Sequence, residues 1–307
     1  MPTAYLTHPS CFLHEMGPHH PECPERLSAI NDRIIAAGLD GYVEHHTAPA
    51  ATREQIERVH GTRYFDDLKE ASPASGLHFI DPDTALNPHT LDAALHAAGA
   101  VVKAVDLAMS GACKTAFCAV RPPGHHAERR RAMGFCVFNS IAVGAAHAMA
   151  AHGLSRVAIV DFDVHHGNGT EEIFTGDHRV LMVSTFQYPL YPYSGLDNDD
   201  PKMVNVPLSP GSGGPEFRAA VTERWIPALD EHKPQMIFIS AGFDAHREDP
   251  LANLALTEAD YAWVTREMAQ VAARYAEGRI ISSLEGGYAL SALGRSAAEH
   301  LRELIAA

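Results

Sequence analysis

The chain has 307 residues, with 24 Lys plus Arg against 38 Asp plus Glu, for a formal charge of −14. Its length allows a large core, and a composition of 46% hydrophobic and 20% charged residues excludes global disorder. The acidic balance argues against a nucleic-acid binder, which carries a basic patch, and leaves cationic ligands open.

At the start of the chain, Met1-Pro2-Thr3-Ala4-Tyr5-Leu6 lacks a basic segment followed by an apolar one, so no signal peptide is expected. No apolar run approaches the roughly 20 residues of a membrane-spanning helix. Five cysteines, an odd number without CxxC spacing, are expected to be buried, reduced thiols of a cytoplasmic protein. From residue 88 onward, amphipathic or Ala-rich segments alternate with short β-rich runs. The order reads helix Pro88–Met109, strand Thr115–Val120, helix Asn139–His152, strand Arg156–Phe162 and strand Val180–Thr185. Helix Gly214–Glu231, strand Met236–Ala241, helix Thr257–Glu277, strand Arg279–Leu284 and helix Leu290–Ile305 follow. The later strands are nearly continuous apolar runs, as expected when helices cover both faces of a sheet. The predicted fold is therefore α/β, one domain over residues 1–307 with a central, mainly parallel sheet. Ligands of such folds bind beyond the carboxyl ends of strands.

Four of the five strand ends carry unusual polar residues. Thr115–Val120 runs into Arg121-Pro122-Pro123-Gly124-His125-His126, and Arg156–Phe162 into Asp161-Phe162-Asp163-Val164-His165. Met236–Ala241 ends in Gly242-Phe243-Asp244, and Arg279–Leu284 in Glu285-Gly286-Gly287-Tyr288. Side chains alternate along a strand, so Asp161, Asp163 and His165 project to one side. A carboxylate and an imidazole at that spacing can grip one cation, with Asp244 as a third ligand and open positions left for chemistry. The competing reading is a buried Asp–His network without metal. An imidazole of the His125-His126 pair can take a proton from water and return it to an amine. The Tyr288 hydroxyl can hydrogen-bond a developing oxyanion.

These segments resemble the motif set of the histone deacetylase superfamily, on its class II-type and bacterial histone deacetylase-like amidohydrolase side. Further matches are His20-Pro21-Glu22-Cys23-Pro24-Glu25-Arg26-Leu27, Asp81-Pro82-Asp83-Thr84 and Met133 to Asn139, in family order over residues 17–290. The resemblance implies an arginase/deacetylase-type fold and one Zn²⁺ held by Asp163, His165 and Asp244. It implies His126 as general base, His125 as its electrostatic or general-acid partner, Tyr288 polarising the amide carbonyl, and Asp161 orienting His125. Asn168 stands where class I members carry an aspartate. A structural K⁺ is implied at Asp161, Asp163, His165, Ser184 and Thr185, and a second at Phe174, Asp177 and Val180. Phe135 and Tyr191 would wall a substrate tunnel with room left by Gly134, and Arg26 resembles a deep arginine associated with acetate release. Leu251 occupies the place of a gatekeeper glutamate in polyamine-selective members. That tilts expectation toward acyl-lysine-like or small acylated amine substrates, with acetylpolyamines as the alternative. A two-metal ureohydrolase and a non-catalytic acyl-ligand binder are further readings, and a homo-oligomer is compatible with the chain.

Overall fold

The computed structural model describes residues 1–307. In chain order the elements are β1 (Thr3–Thr7), α1 (Glu25–Ala36), β2 (Val43–Thr47), α2 (Arg53–Glu57), α3 (Thr62–Ala71), β3 (His78–Asp81) and β4 (Thr84–Leu86). They continue with α4 (Thr90–Ser110), β5 (Thr115–Cys118), α5 (Ser140–His152), β6 (Val157–Asp161), α6 (Asn168–Phe174), β7 (Val180–Gln187) and β8 (Met203–Leu208). The last are α7 (Gly214–Ala220), α8 (Ile226–His232), β9 (Ile237–Ala241), α9 (Glu258–Tyr275), β10 (Ile280–Leu284) and α10 (Leu290–Ala306).

Eight strands form one sheet in the order β2-β1-β5-β10-β9-β6-β7-β8, and every neighbouring pair is parallel. The chain builds outward along β1–β2 and along β6–β7–β8, then fills the middle with β9 and β10. Side chains of β5, β6, β7, β9 and β10 are buried throughout, as a sheet covered on both faces requires. One contiguous apolar cluster of 82 residues reaches from β1 to α10, so a single core carries the whole chain.

Helix ends follow local chemistry. Asn139 caps α5 by accepting the Ala142 N–H, and Gly153 ends it with a left-handed φ of 68°. Thr257 and Asp260 form a capping box at α9. The single predicted helix Gly214–Glu231 is broken into α7, a π-helical turn over Val221–Trp225, and α8. Pro227 lacks the N–H that would close the regular ladder there.

Several elements escape the sequence reading. The edge strand β2 is polar and largely exposed, and the edge strand β8 contains Pro207, so neither offers an apolar run. Helix α1 buries Leu27, Ile30 and Ile34 at helical spacing, a signal present in the sequence although the helix begins inside a motif segment. Helix α4 corrects the expectation about apolar runs. It has 21 residues and is long and apolar enough by composition to cross a membrane, yet most of it is buried within this fold against β5, β1 and α5.

Candidate active site

The four polar strand ends belong to β5, β10, β9 and β6, which are adjacent in the sheet. The strand β6 stops at Asp161, so the alternation predicted through His165 is continued by a turn. Asp161 Oδ1 accepts the Asp163 N–H at 3.1 Å, and Asp163 Oδ1 accepts the His165 N–H at 2.8 Å. Phe162 and Val164 turn into the core. From β9, Asp244 Oδ1 accepts the Val164 N–H at 2.9 Å, which ties the two strand ends together.

Asp163, His165 and Asp244 offer one donor atom each within 4.8 Å of one another. His165 Nδ1 lies 3.0 Å from Asp163 Oδ1 and 3.2 Å from Asp244 Oδ2. Both carboxylates are fully buried, and Asp244 Oδ2 has no hydrogen-bond partner. Two buried carboxylates side by side need compensating positive charge. Two oxygens and an imidazole nitrogen suit a divalent ion of zinc type. The residues present therefore fit the ion. Burial opposes charging of His165, but Asp163 and Asp244 outweigh it and raise it to about 10. Burial, together with the Asp163 charge, raises Asp244 to about 7.

Two other His–Asp clusters do not share this character. Arg58 hydrogen-bonds His147 Nδ1 at 2.9 Å and carries no acceptor, so Nε2 of that ring donates to Asp106. His8 and His96 stack face to face with centroids 3.4 Å apart and rings 4° from parallel, which keeps their lone pairs from converging.

Beside the triad stands the histidine pair. His125 Nδ1 is 3.0 Å from Asp161 Oδ2, and His126 Nδ1 is 2.8 Å from Asn168 Oδ1. The Asn168 amide donates to Glu128 Oε1, so its oxygen faces His126, Nδ1 carries the proton and Nε2 is the basic nitrogen. Burial disfavours charge on both rings. Asp163, Asp161 and Glu285 override it at His125, which is held well above the usual imidazole range. At His126 burial is reinforced by the neighbouring His125 and His165, and the ring is held well below that range. Environments that push two adjacent groups apart mark an acid/base pair. Glu285 Oε2 accepts the N–H groups of Gly124 and His125 at 2.7 and 3.1 Å and so fixes the pair's backbone.

A cavity of about 240 Å³ opens onto His126, His165 and Tyr288 and is walled by Gly134, Phe135, Tyr191, Leu251, Leu190 and Asp83. Phe135 meets Tyr288 edge-on at 5.8 Å, and Tyr191 meets His126 at 5.3 Å. Gly134 has φ 56°, and a Cβ there would sit 2.4 Å from His126 Cδ2, so only glycine leaves the imidazole its place. Burial raises the Tyr288 phenol well above its usual value, so it stays a neutral donor.

Arg26 does not line the cavity. It lies behind Tyr288, 4.9 Å from the ring centroid, donates to Gly287 O and Glu285 O, and pairs with buried Glu22. Ser184 faces Asp161 across the β6–β7 register, and its buried Oγ has no partner, with Thr185 next to it. Phe174, Asp177 and Val180 lie on the turn between α6 and β7, where the Phe174 and Asp177 carbonyls accept the Asp177 and Val180 N–H groups. Asp83 and Leu190 on the cavity wall, and Asp249 and Glu285 behind it, were not singled out from sequence. Asp83 and Glu285 lie within motif segments already noted, which was the available signal, and Asp249 directly precedes Pro250-Leu251.

A family model described as the histone deacetylase domain matches residues 20–304. The chain is 37% identical over 298 residues to a probable deacetylase of Archaeoglobus fulgidus, covering 94% of this chain and 82% of that protein. It is 34% identical over 310 residues to a histone deacetylase-like amidohydrolase of Pseudomonas aeruginosa, covering 93% and 81%. It is 35% identical to the polyamine deacetylase HDAC10 of Mus musculus, covering 92% of this chain and 45% of that one. Among solved structures, the HDA15 HD domain superposes with a TM-score of 0.92 at 34% identity, covering 99% of this chain and 88% of that chain.

Proposed function

Because the chain belongs to the histone deacetylase family, a family of hydrolases, we propose that it is a zinc-dependent amidohydrolase acting on acyl-lysine-like or small acylated amine substrates. The observation that carries this reading is the convergence of the Asp163–His165–Asp244 triad, His126 and Tyr288 on one narrow cavity. Asp163, His165 and Asp244 would hold the ion, which supplies Lewis acidity toward a carbonyl and lowers the pKa of water.

The chain's own groups perform the proton transfers. His126 Nε2, kept neutral by its surroundings, takes the proton of the attacking water. His125, kept cationic by Asp161 and Asp163, stabilises the negative charge that develops, and the proton passes to the departing amine. Tyr288 donates its hydroxyl to the carbonyl oxygen as that oxygen gains charge, an effect worth roughly 3–4 kcal/mol in comparable sites. Phe135, Tyr191 and Leu251 enclose the aliphatic stem and exclude water, and Gly134 leaves room for His126. Arg26, behind the tyrosine, would assist release of the acid product.

A K⁺ at Asp161, Asp163, His165, Ser184 and Thr185 is supported by the unpartnered Ser184 oxygen. The Phe174, Asp177 and Val180 turn would take a second. The five free thiols support a reducing, cytoplasmic setting. Acylated polyamines are the alternative substrate class, since a polyamine deacetylase is among the relatives; apolar Leu251 on the cavity wall favours the first class. The ureohydrolase reading leaves the His125-His126 pair and Tyr288 without a task, and a degenerate binder would have lost one of these groups.

The test is a panel of acyl-lysine peptides and acylated polyamines on zinc-loaded protein, alongside Asp163→Ala. Hydrolysis lost in the variant together with its zinc is the expected result. Full activity in Asp163→Ala overturns the proposal, and two metals per chain would point to the ureohydrolase.

A further inference from the structure

Asp249 is a buried carboxylate that does not line the cavity and is not one of the triad's three ligands, and no Lys, Arg or His forms an ion pair with it. A buried carboxylate without a cationic partner is costly unless hydrogen bonds compensate it. Here three backbone N–H groups do so. Oδ2 accepts from Tyr288 at 2.7 Å and from Ala289 at 3.2 Å, and Oδ1 accepts from Leu251 at 3.0 Å. The two N–H groups on Oδ2 immediately precede α10, whose cap residue Ala289 has no side-chain cap of its own. An anion there also faces the positive end of a 17-residue helix.

The turn it grips has little stiffness of its own. Gly286 and Gly287 precede the tyrosine, and Gly287 adopts φ 123°. Its carbonyls are held from the other side by Arg26, which donates to Gly287 O and Glu285 O. A cation thus holds the acceptors before Tyr288 and an anion holds the donors at and after it. The same anion fixes Leu251, which shares the cavity wall with Tyr288.

We propose that Asp249 is a positioning residue for Tyr288, setting the phenol against the cavity through the backbone of the Gly286-Gly287-Tyr288 turn. This rests on the hydrolase reading above, in which Tyr288 polarises the substrate carbonyl. Asn at position 249 keeps the size but not all three acceptor contacts, because one of its two polar atoms is a donor. Displacement of a reacting group by about 1 Å costs on the order of 10²-fold.

The experiment is a double-mutant cycle of Asp249→Asn with Tyr288→Phe, read as kcat and KM separately, with melting temperature and zinc content as controls. Asp249→Asn should lower kcat on the order of 10²-fold and change KM far less. In the Tyr288→Phe background the same substitution should cost almost nothing further, because the group it positions is gone. An undiminished penalty in that background overturns the proposal. Hydrogen exchange of residues 286–292 supplies a reading independent of turnover. Those amides should exchange at least about tenfold faster in Asp249→Asn, or in Asp249→Ala if the first variant folds poorly. Unchanged exchange overturns the clamp. A wild-type protein that hydrolyses no acyl amide, but whose turn loosens on substitution, would instead fail the functional reading and leave the clamp standing.

Discussion

The N–H of Gly286 donates to Asp163 Oδ2 at 2.8 Å, and a Cβ on that glycine would lie 2.0 Å from Asp244 Oδ2. The strand end that delivers Tyr288 therefore also presses the two carboxylates of the triad into register, and no larger residue fits between them. Gly286→Ala should force at least one carboxylate aside and abolish stoichiometric zinc retention while leaving the sheet folded. Elemental analysis after exhaustive dialysis, with circular dichroism as control, measures this. Zinc retained at the wild-type level would show that the carboxylates tolerate the displacement.

The neutral state of His126 has a kinetic consequence. With the ring held well below the usual imidazole range, the acid limb of kcat/KM should fall below about pH 6.5. Asn168→Asp places a carboxylate where the amide oxygen now accepts from Nδ1, so it stabilises the imidazolium and raises the pKa. A raised pKa leaves more of the base protonated in mild acid. The rate at pH 6 should drop severalfold relative to the rate at pH 8.5. A pH–rate profile identical to wild type would show that Asn168 does not set the proton affinity of the base.

Leu251 gives the cavity wall an apolar tip where a carboxylate would attract a distal ammonium. Leu251→Glu should raise the ratio of kcat/KM for acylated polyamines over acyl-lysine peptides by about tenfold, the worth of roughly 1.4 kcal/mol in one charge contact. The ratio is measured by competition between the two substrates in one reaction. A fall in the ratio would show that polyamine selection lies elsewhere on this surface.

Two histidines remote from the site should shape acid stability. Burial lowers His60 to about 4 and His300 to about 3. His60 sits between the Glu128 carbonyl and the Asn139 N–H, and His300 between the hydroxyls of Thr265 and Ser282. Both are neutral in the fold and bind protons near pH 6.5 when unfolded. The unfolded state thus takes up more protons below that pH, and stability falls as pH drops from about 6.5 toward 4. The loss through His60 alone amounts to about 3 kcal/mol across that window. Urea unfolding between pH 7.5 and 5 should show the slope, and His60→Gln should reduce it by about one proton. An equal slope in the variant would assign the acid sensitivity to other groups.

Legibility varied along the chain for physical reasons. The ligands, the histidine pair and the tyrosine stood out because each lies within a few residues of a buried strand's end, where polar side chains need a purpose. Most of the 20 histidines carried no such mark, and tertiary burial decided their states. His14, His60 and His300 are fully or nearly fully buried: His14 is held by Thr90, 76 residues away, and by Glu22, His60 by Glu128 and Asn139, 68 and 79 residues away, and His300 by Ser282 and Thr265, 18 and 35 residues away.

Local composition was sufficient to determine five strands, five helical segments and the polar residues that follow the strands, because alternation, helical spacing and turn chemistry act over a few residues. It did not determine which strands lie side by side. The order β5-β10-β9-β6 comes from long-range pairing, and only that order brings His125, Tyr288, Asp244 and Asp163 to one edge of the sheet. Nor did it separate a membrane-compatible helix from a core helix at α4, where contact with the sheet decides. The backbone contacts by which Gly286, Glu285 and Asp249 hold the reactive groups join residues 39 to 161 positions apart, a relation that appears only once the chain has closed on itself.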